Sequence, residues 1–111
     1  MELPNKFKAY VPGNKILEYL LSETHSVGKS KARFFRALGY DNREAGRLEE
    51  EFVKIAQTND VKKSVSTLHG TKYVIDGELE SPKGVIIRIR TIWIIETGED
   101  RPRFVTAYPP D

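Results

Sequence analysis

The apolar residues of this 111-residue chain change their period at Asp60. Before it, Ala45, Leu48, Phe52, Ile55 and Ala56 recur at helical spacing. After it, Val61, Lys63, Val65 and Thr67 alternate with Lys62, Ser64, Ser66 and Leu68. The first period turns one stripe of a helix toward a core, and the second turns one face of a strand. A chain that switches once from helices to strands joined by short turns predicts an α+β fold with an antiparallel sheet. The expected architecture is three N-terminal helices packed on one face of a four-stranded antiparallel meander. It reads as one domain over residues 1–111, with an extended arm at 1–12, a helical part at 13–60 and the sheet at 61–109.

The elements follow from local signals. Pro4 and Pro12 punctuate the arm, in which Phe7, Tyr10 and Val11 are candidates for packing. Helix 1 is expected from Gly13 to Ser22, with Ile16, Leu17, Leu20 and Leu21 facing the core and Tyr19 at their flank. After a loop containing Gly28, helix 2 runs from Lys29 to Leu38, with Ser26 or Ser30 as N-cap and Gly39 as C-cap. Asp41 or Asn42 caps helix 3, which ends near Thr58. The turn His69-Gly70 then pairs a strand over 61–68 with one over 72–80. Ser81-Pro82-Lys83-Gly84 leads to a strand over 85–95, and a second polar turn leads to the last, Arg103 to Tyr108.

The pleat sorts the strand residues into faces. Val85, Ile87, Ile89, Thr91, Trp93 and Ile95 form the expected core face of strand 3. Ile86, Arg88, Arg90, Ile92 and Ile94 form the other. Matching faces places Val105 and Ala107 with the core, and Phe104, Thr106 and Tyr108 beside Arg88 and Arg90. On strand 2, Tyr73, Ile75 and Leu79 face the core, whereas Val74, Asp76 and Glu78 face out. Two readings of the outer face stand side by side. In one, Arg88 and Arg90 pair across strands with Asp76 and Glu78. In the other, at least one arginine binds an anion with the Thr106 and Tyr108 hydroxyls beside it.

Composition narrows the class. Hydrophobic residues are 39% and charged residues 31%, as in a globular protein. The absence of cysteine excludes a disulfide framework and a thiolate metal site, and is compatible with the cytoplasm. Two histidines give no metal-ligand spacing, so neither a metal nor a cofactor is expected. Apolar runs are too short to span a bilayer. The net charge of +2 conceals a basic cluster of Lys29, Lys31, Arg33 and Arg36. With His25 this cluster could form a phosphate site at a helix start; the alternative is a capped helix with solvated lysines.

The stretches YLLSETHSVGKSKARFFRALGY, KYVIDGELESPKG and RIRTIWIIETGEDRPRFVTAYP resemble a family of uncharacterised small bacterial domains. The shared pattern is His-x-x-Gly-x-x-Lys-Ala, Arg-Thr-x-Trp and a closing Val-Thr-Ala-Tyr-Pro. More distantly, helices followed by a four-stranded sheet that ends on Thr-x-Tyr-Pro are similar to the barnase–EndoU–colicin–RelE group of small ribonucleases, many of them toxins. That resemblance implies a metal-independent endoribonuclease of a toxin–antitoxin or polymorphic-toxin system. It implies His25 as general acid or base, Arg90 as a phosphate binder, and Thr106 and Tyr108 as substrate contacts or 2′-hydroxyl activators. Lys31 joins Arg90 at the phosphate, and Lys29, Arg33 and Arg88 are further candidates for contacting RNA. The implied partners are RNA and a cognate antitoxin or other small protein. The rival expectation is a non-enzymatic module that binds protein or RNA.

Overall fold

A computed structural model of the protein describes residues 1–22, 24, 25 and 29–110. It is α+β, with the helices first and a four-stranded antiparallel meander after them. Helix α1 covers Gly13–Lys15 and runs on as a π-helical turn over Ile16–Leu20, closed by the Leu21 N–H to Ile16 carbonyl bond of 2.7 Å. The widened turn leaves Leu17 exposed while Ile16, Leu20 and Leu21 stay buried, against the expectation that all four face inward. Helix α2 covers Lys29–Ala37. It ends in a Schellman motif: Tyr40 N–H reaches the Phe35 carbonyl, Gly39 N–H reaches that of Arg36, and Gly39 takes φ 101°. The Asp41 carboxylate accepts from the Arg43 N–H at 2.9 Å and starts a 3-10 turn over Asn42–Glu44, which leads into α3, Ala45–Thr58. Of the two candidate caps of α2, Ser30 lies within the helix, whereas Ser26 and the loop residue Gly28 lie outside the described residues.

The strands are β1 Lys63–Thr67, β2 Gly70–Glu80, β3 Ile86–Glu96 and β4 Arg103–Tyr108, in sheet order 1-2-3-4. Helix α3 seats on β2 where Gly77 leaves room. A Cβ there would stand 2.8 Å from Ile55 Cγ2. Behind it, Trp93, Phe104, Phe52 and Phe35 form a run of ring contacts in the core, with Phe52 and Phe104 stacked at 4.7 Å. Thr91, the one hydroxyl on the core face of β3, is fully satisfied. Its Oγ1 donates to the Ile75 carbonyl at 2.7 Å and accepts from Trp93 Nε1 at 2.8 Å.

Two face assignments are corrected. A β-bulge sits where β4 passes Ile92 and Trp93: Thr106 pairs with Ile92, but Phe104, not Val105, pairs with Trp93. Phe104 is therefore buried in the core and Val105 turns outward, because the inserted residue breaks the period of 2. Val85 is exposed, since its N–H is taken by Ser81 Oγ in the turn and pairing begins at Ile86.

The arm closes the sheet at β4. Tyr10 donates to the Pro102 carbonyl and accepts from the Phe104 N–H, each at 3.0 Å, as a parallel bridge. Leu3, Ala9 and Val11 anchor it, whereas Phe7 is exposed. At the opposite edge, every residue of β1 is exposed. The helices share one core with the sheet, and two of their side chains extend beyond it. Tyr19 from the π turn and Lys31 from α2 reach past β4 to residues of its outer side.

Candidate functional site

The outer face of β3 and β4 carries a strip of polar side chains set by the register. Arg90 lies opposite Tyr108, and Thr106 lies one pleat further along, opposite Ile92. On the other side of Arg90 stands Asp76 of β2. Arg90 Nε donates to Asp76 Oδ1 at 2.8 Å and Nη2 to Oδ2 at 3.0 Å, a two-pronged pair. Lys62 Nζ approaches the same carboxylate at 3.4 Å. The Asp76 side chain is only 7% exposed and that of Arg90 24%. The Arg90 hydrogen bond, with a smaller contribution from Lys62, holds the Asp76 carboxyl below the usual carboxylate range although burial opposes this. Reciprocally, Asp76 holds the guanidinium above its ordinary value, and Tyr108 adds to this.

The pair makes a prediction with a definite sign. A carboxylate with a lowered folded pKa contributes fully above its unfolded pKa of ~3.9, and the contribution disappears as pH falls through the folded value. Asp76→Asn is expected to cost about 2 kcal/mol at neutral pH and to flatten the acid limb of the stability profile. Urea midpoints between neutrality and the acid limb measure both. Parallel acid limbs in variant and wild type would show that other carboxylates, such as Asp41 beside Arg43, dominate instead.

Two side chains from the helical part join the strip. Lys31 Nζ stands 5.1 Å from the centre of the Tyr108 ring, a cation–π contact. The Tyr19 hydroxyl lies 3.3 Å from Thr106 Oγ1. The Tyr19 ring meets that of His25 edge-on, with centroids 5.2 Å apart. His25 is thus connected to Thr106 through Tyr19 and is an exposed residue. Contacts and register run from His25 through Tyr19 to Thr106 of β4, and from Lys31 over Tyr108 of β4 across the outer face to Arg90 of β3 and Asp76 of β2. Tyr19 was legible only as the flank of an apolar stripe. Its role as a link depends on the π turn.

The remaining cations divide. Arg88 is exposed opposite Glu78 but, among the described residues, makes no ion pair with it. Lys29 and Arg33 are exposed on a different face of α2, lining with Arg36 a shallow depression of about 430 Å³. Arg36 is structural: its Nε and Nη2 donate to the Leu21 carbonyl and Nη2 to Asn42 Oδ1, tying α2 to the end of the π turn. His69, in the β1–β2 turn, lies with Lys72, Ile94 and Arg103 around a separate depression. Among the described residues no group of three His, Asp or Glu side chains could hold a metal ion, and no helix is long and apolar enough to cross a membrane.

The backbone resembles a solved structure, the contact-dependent growth inhibition toxin–immunity protein complex from Klebsiella pneumoniae 342, with a TM-score of 0.72. The match covers 96% of this chain and 97% of that one at 18% identity, so the likeness is one of fold. No curated protein matches the chain in sequence. A family profile matches residues 2–111, essentially the whole of the helical part, sheet and strip just described, and the chain belongs to the family described as Domain of unknown function (DUF6883).

Proposed function

We propose that this chain is the ribonuclease component of a toxin system, cleaving RNA through attack of a ribose 2′-hydroxyl on the neighbouring phosphate. The observation that carries the reading is the strip itself: two hydroxyls, an arginine and a lysine on adjoining positions, with a histidine joined to them through Tyr19. In the reaction O2′ bonds to phosphorus and the bond from phosphorus to O5′ breaks. A base accepts the 2′ proton, and an acid supplies one to the departing 5′ oxygen. His25 serves as one of these. Thr106 and Tyr108 contact the ribose. Lys31 and Arg90 stabilise the charge on the phosphate. Asp76 engages Nε and Nη2 of Arg90 and Tyr108 also acts on the guanidinium, so an anion would share the remaining donors with Tyr108. Lys29, Arg33 and Arg88 guide the strand by charge. An RNA substrate implies action in the cytoplasm, and a toxin of this kind implies a small neutralising protein partner. The resemblance in fold to a chain of a toxin–immunity complex supports that pairing.

The test is cleavage of cellular RNA by the purified chain in the presence of a chelator, together with induced expression in bacteria. The expected outcome is product with 2′,3′-cyclic phosphate ends, growth arrest, and loss of both in the His25→Ala, Arg90→Ala double variant. Cleavage that survives the double variant unchanged removes these residues from the mechanism. Neither cleavage nor growth arrest at verified protein level selects a second reading, a non-enzymatic binding module. The two-pronged capture of Arg90 by Asp76 favours that second reading, because it spends much of the arginine's charge within the protein.

A further inference from the structure

We propose that the slot between α2 and the end of β4 holds one unpaired nucleobase of an RNA strand and sets the base preference of the site. The proposal rests on the ribonuclease reading for its substrate. The slot has a volume of about 250 Å³ and is walled by Ser30, Lys31, Phe34, Ala107, Tyr108 and Pro109. That is below the ~300–1,000 Å³ of pockets for larger ligands and suits a single flat ring system. Its walls follow from helical spacing: Lys31, Phe34 and Phe35 stand at i, i+3 and i+4 on the side of α2 that meets β4.

Phe35 is fully buried in the core, but Phe34 and Tyr108 are only half-buried, which leaves aromatic surface open to the slot. Phe34 is held edge-on to Phe35, with centroids 5.1 Å apart. A rigid ring beside an apolar wall is a stacking platform for a base.

Charge selects a nucleotide over an apolar peptide side chain. Lys31 stands at the slot over Tyr108, Arg90 is in register with Tyr108 on β3, and Lys29 and Arg33 line the neighbouring depression on α2. A base in the slot would have cations on both sides for its flanking phosphates, as a strand bound through backbone charge and stacked bases requires. The Ser30 hydroxyl lines the slot and can donate or accept toward a base edge, so base preference would come from how well a ring fits the space between Phe34, Tyr108 and Pro109.

The experiment uses the full chain carrying His25→Ala and short single-stranded RNAs with 2-aminopurine at successive positions. The expected result is strong fluorescence quenching at one position on binding. Removing the base at that position, leaving an abasic residue, should weaken binding about tenfold with no change to the protein. Phe34→Leu, which keeps apolar volume but removes the ring, should give the same loss and abolish the quench. Equal quenching at every position, or affinity indifferent to the abasic residue, overturns the slot. So does a protein ligand whose binding is lost in Phe34→Leu while RNA binding is retained. The two proposals fail separately. Quenching at one position by a chain that never cleaves RNA keeps the slot and ends the ribonuclease reading. Cleavage with unchanged base preference and binding in Phe34→Leu ends the slot alone.

Discussion

Trp93→Ala is expected to lower stability by about 4 kcal/mol. The indole is fully buried in β3, edge-on to Phe104 with centroids 5.4 Å apart, and Phe104 is stacked in turn on Phe52 of α3. Its removal opens a cavity at the junction of α3 with the two C-terminal strands, where rigid strands on one side and a helix on the other limit collapse. It also withdraws the donor to Thr91 Oγ1, whose bond to the Ile75 carbonyl remains. A domain of this size has ~5–15 kcal/mol in total, so the variant retains a modest margin at best. Trp93 is the sole tryptophan, so the urea transition must be followed by far-UV circular dichroism instead of fluorescence. A fall in midpoint at unchanged slope is the expected signature. A loss below about 1 kcal/mol would mean that the aromatic run is not the centre of the core.

The second large effect concerns chemistry. On the proposed ribonuclease reading, His25→Ala is expected to slow RNA cleavage by ~10²–10⁴-fold, the usual contribution of a positioned acid or base. Arg90→Ala is expected to slow it by ~10²–10³-fold, as for removal of one donor to a developing anion. Their double variant should lose less than the product of the two, since both act on one transition state. Arg90→Ala also leaves the largely buried Asp76 with Lys62 alone, so its fold must be checked by the urea transition before the rate is read. Arg90→Lys separates the causes. It keeps a positive charge near Asp76 but loses the fork that grips the carboxylate and still offers donors to an anion. A rate restored by lysine would assign Arg90 a simple charge role. A rate that stays low in a stably folded Arg90→Lys protein would assign the geometry of the guanidinium. Single-turnover measurements decide this, with cleavage unaffected by either His25→Ala or Arg90→Ala as the contrary result.

Much of this arrangement is written in the chain as period and punctuation. The change at Asp60, the glycine after α2 and the turn at His69-Gly70 locate the helices, strands and turns to within a few residues. Matching apolar faces gathers Arg88, Arg90, Thr106, Tyr108, Asp76 and Glu78 on one face, and the register then sets Arg90 between Asp76 and Tyr108. The same logic fails near the start of β4, at Phe104 and Val105, because period-2 reasoning assumes a continuous ladder and a bulge inserts one residue into it. Leu17 and Tyr19 were obscured for a related reason. A π turn rotates a helix face away from ideal spacing, exposing the leucine and carrying the tyrosine to Thr106. Phe34 reads in sequence as the widening of an apolar face. Its half-open setting against Tyr108 depends on how far α2 lies from β4, a tertiary distance with no local signal.

The arm has a consequence for the order in which the molecule assembles. Each strand of the meander pairs with its sequence neighbour through a short turn, so the sheet can zip progressively at little loop-closure cost. The bridge between Tyr10 and the start of β4 closes a loop that contains nearly the whole chain. The contact of residue 1 with Val61 closes a shorter loop, of roughly half the chain. The Tyr10 bridge is the pairing of greatest sequence separation at the sheet, and its entropy is recovered only once β4 is in place to receive it. The N-terminal segment is therefore expected to dock only after β4 has formed, and so are Tyr19 and Lys31, which reach Thr106 and Tyr108 of the same strand across comparable spans of chain. The strip and the β4 edge thus depend on one event, the closing of the N-terminal half onto the last strand.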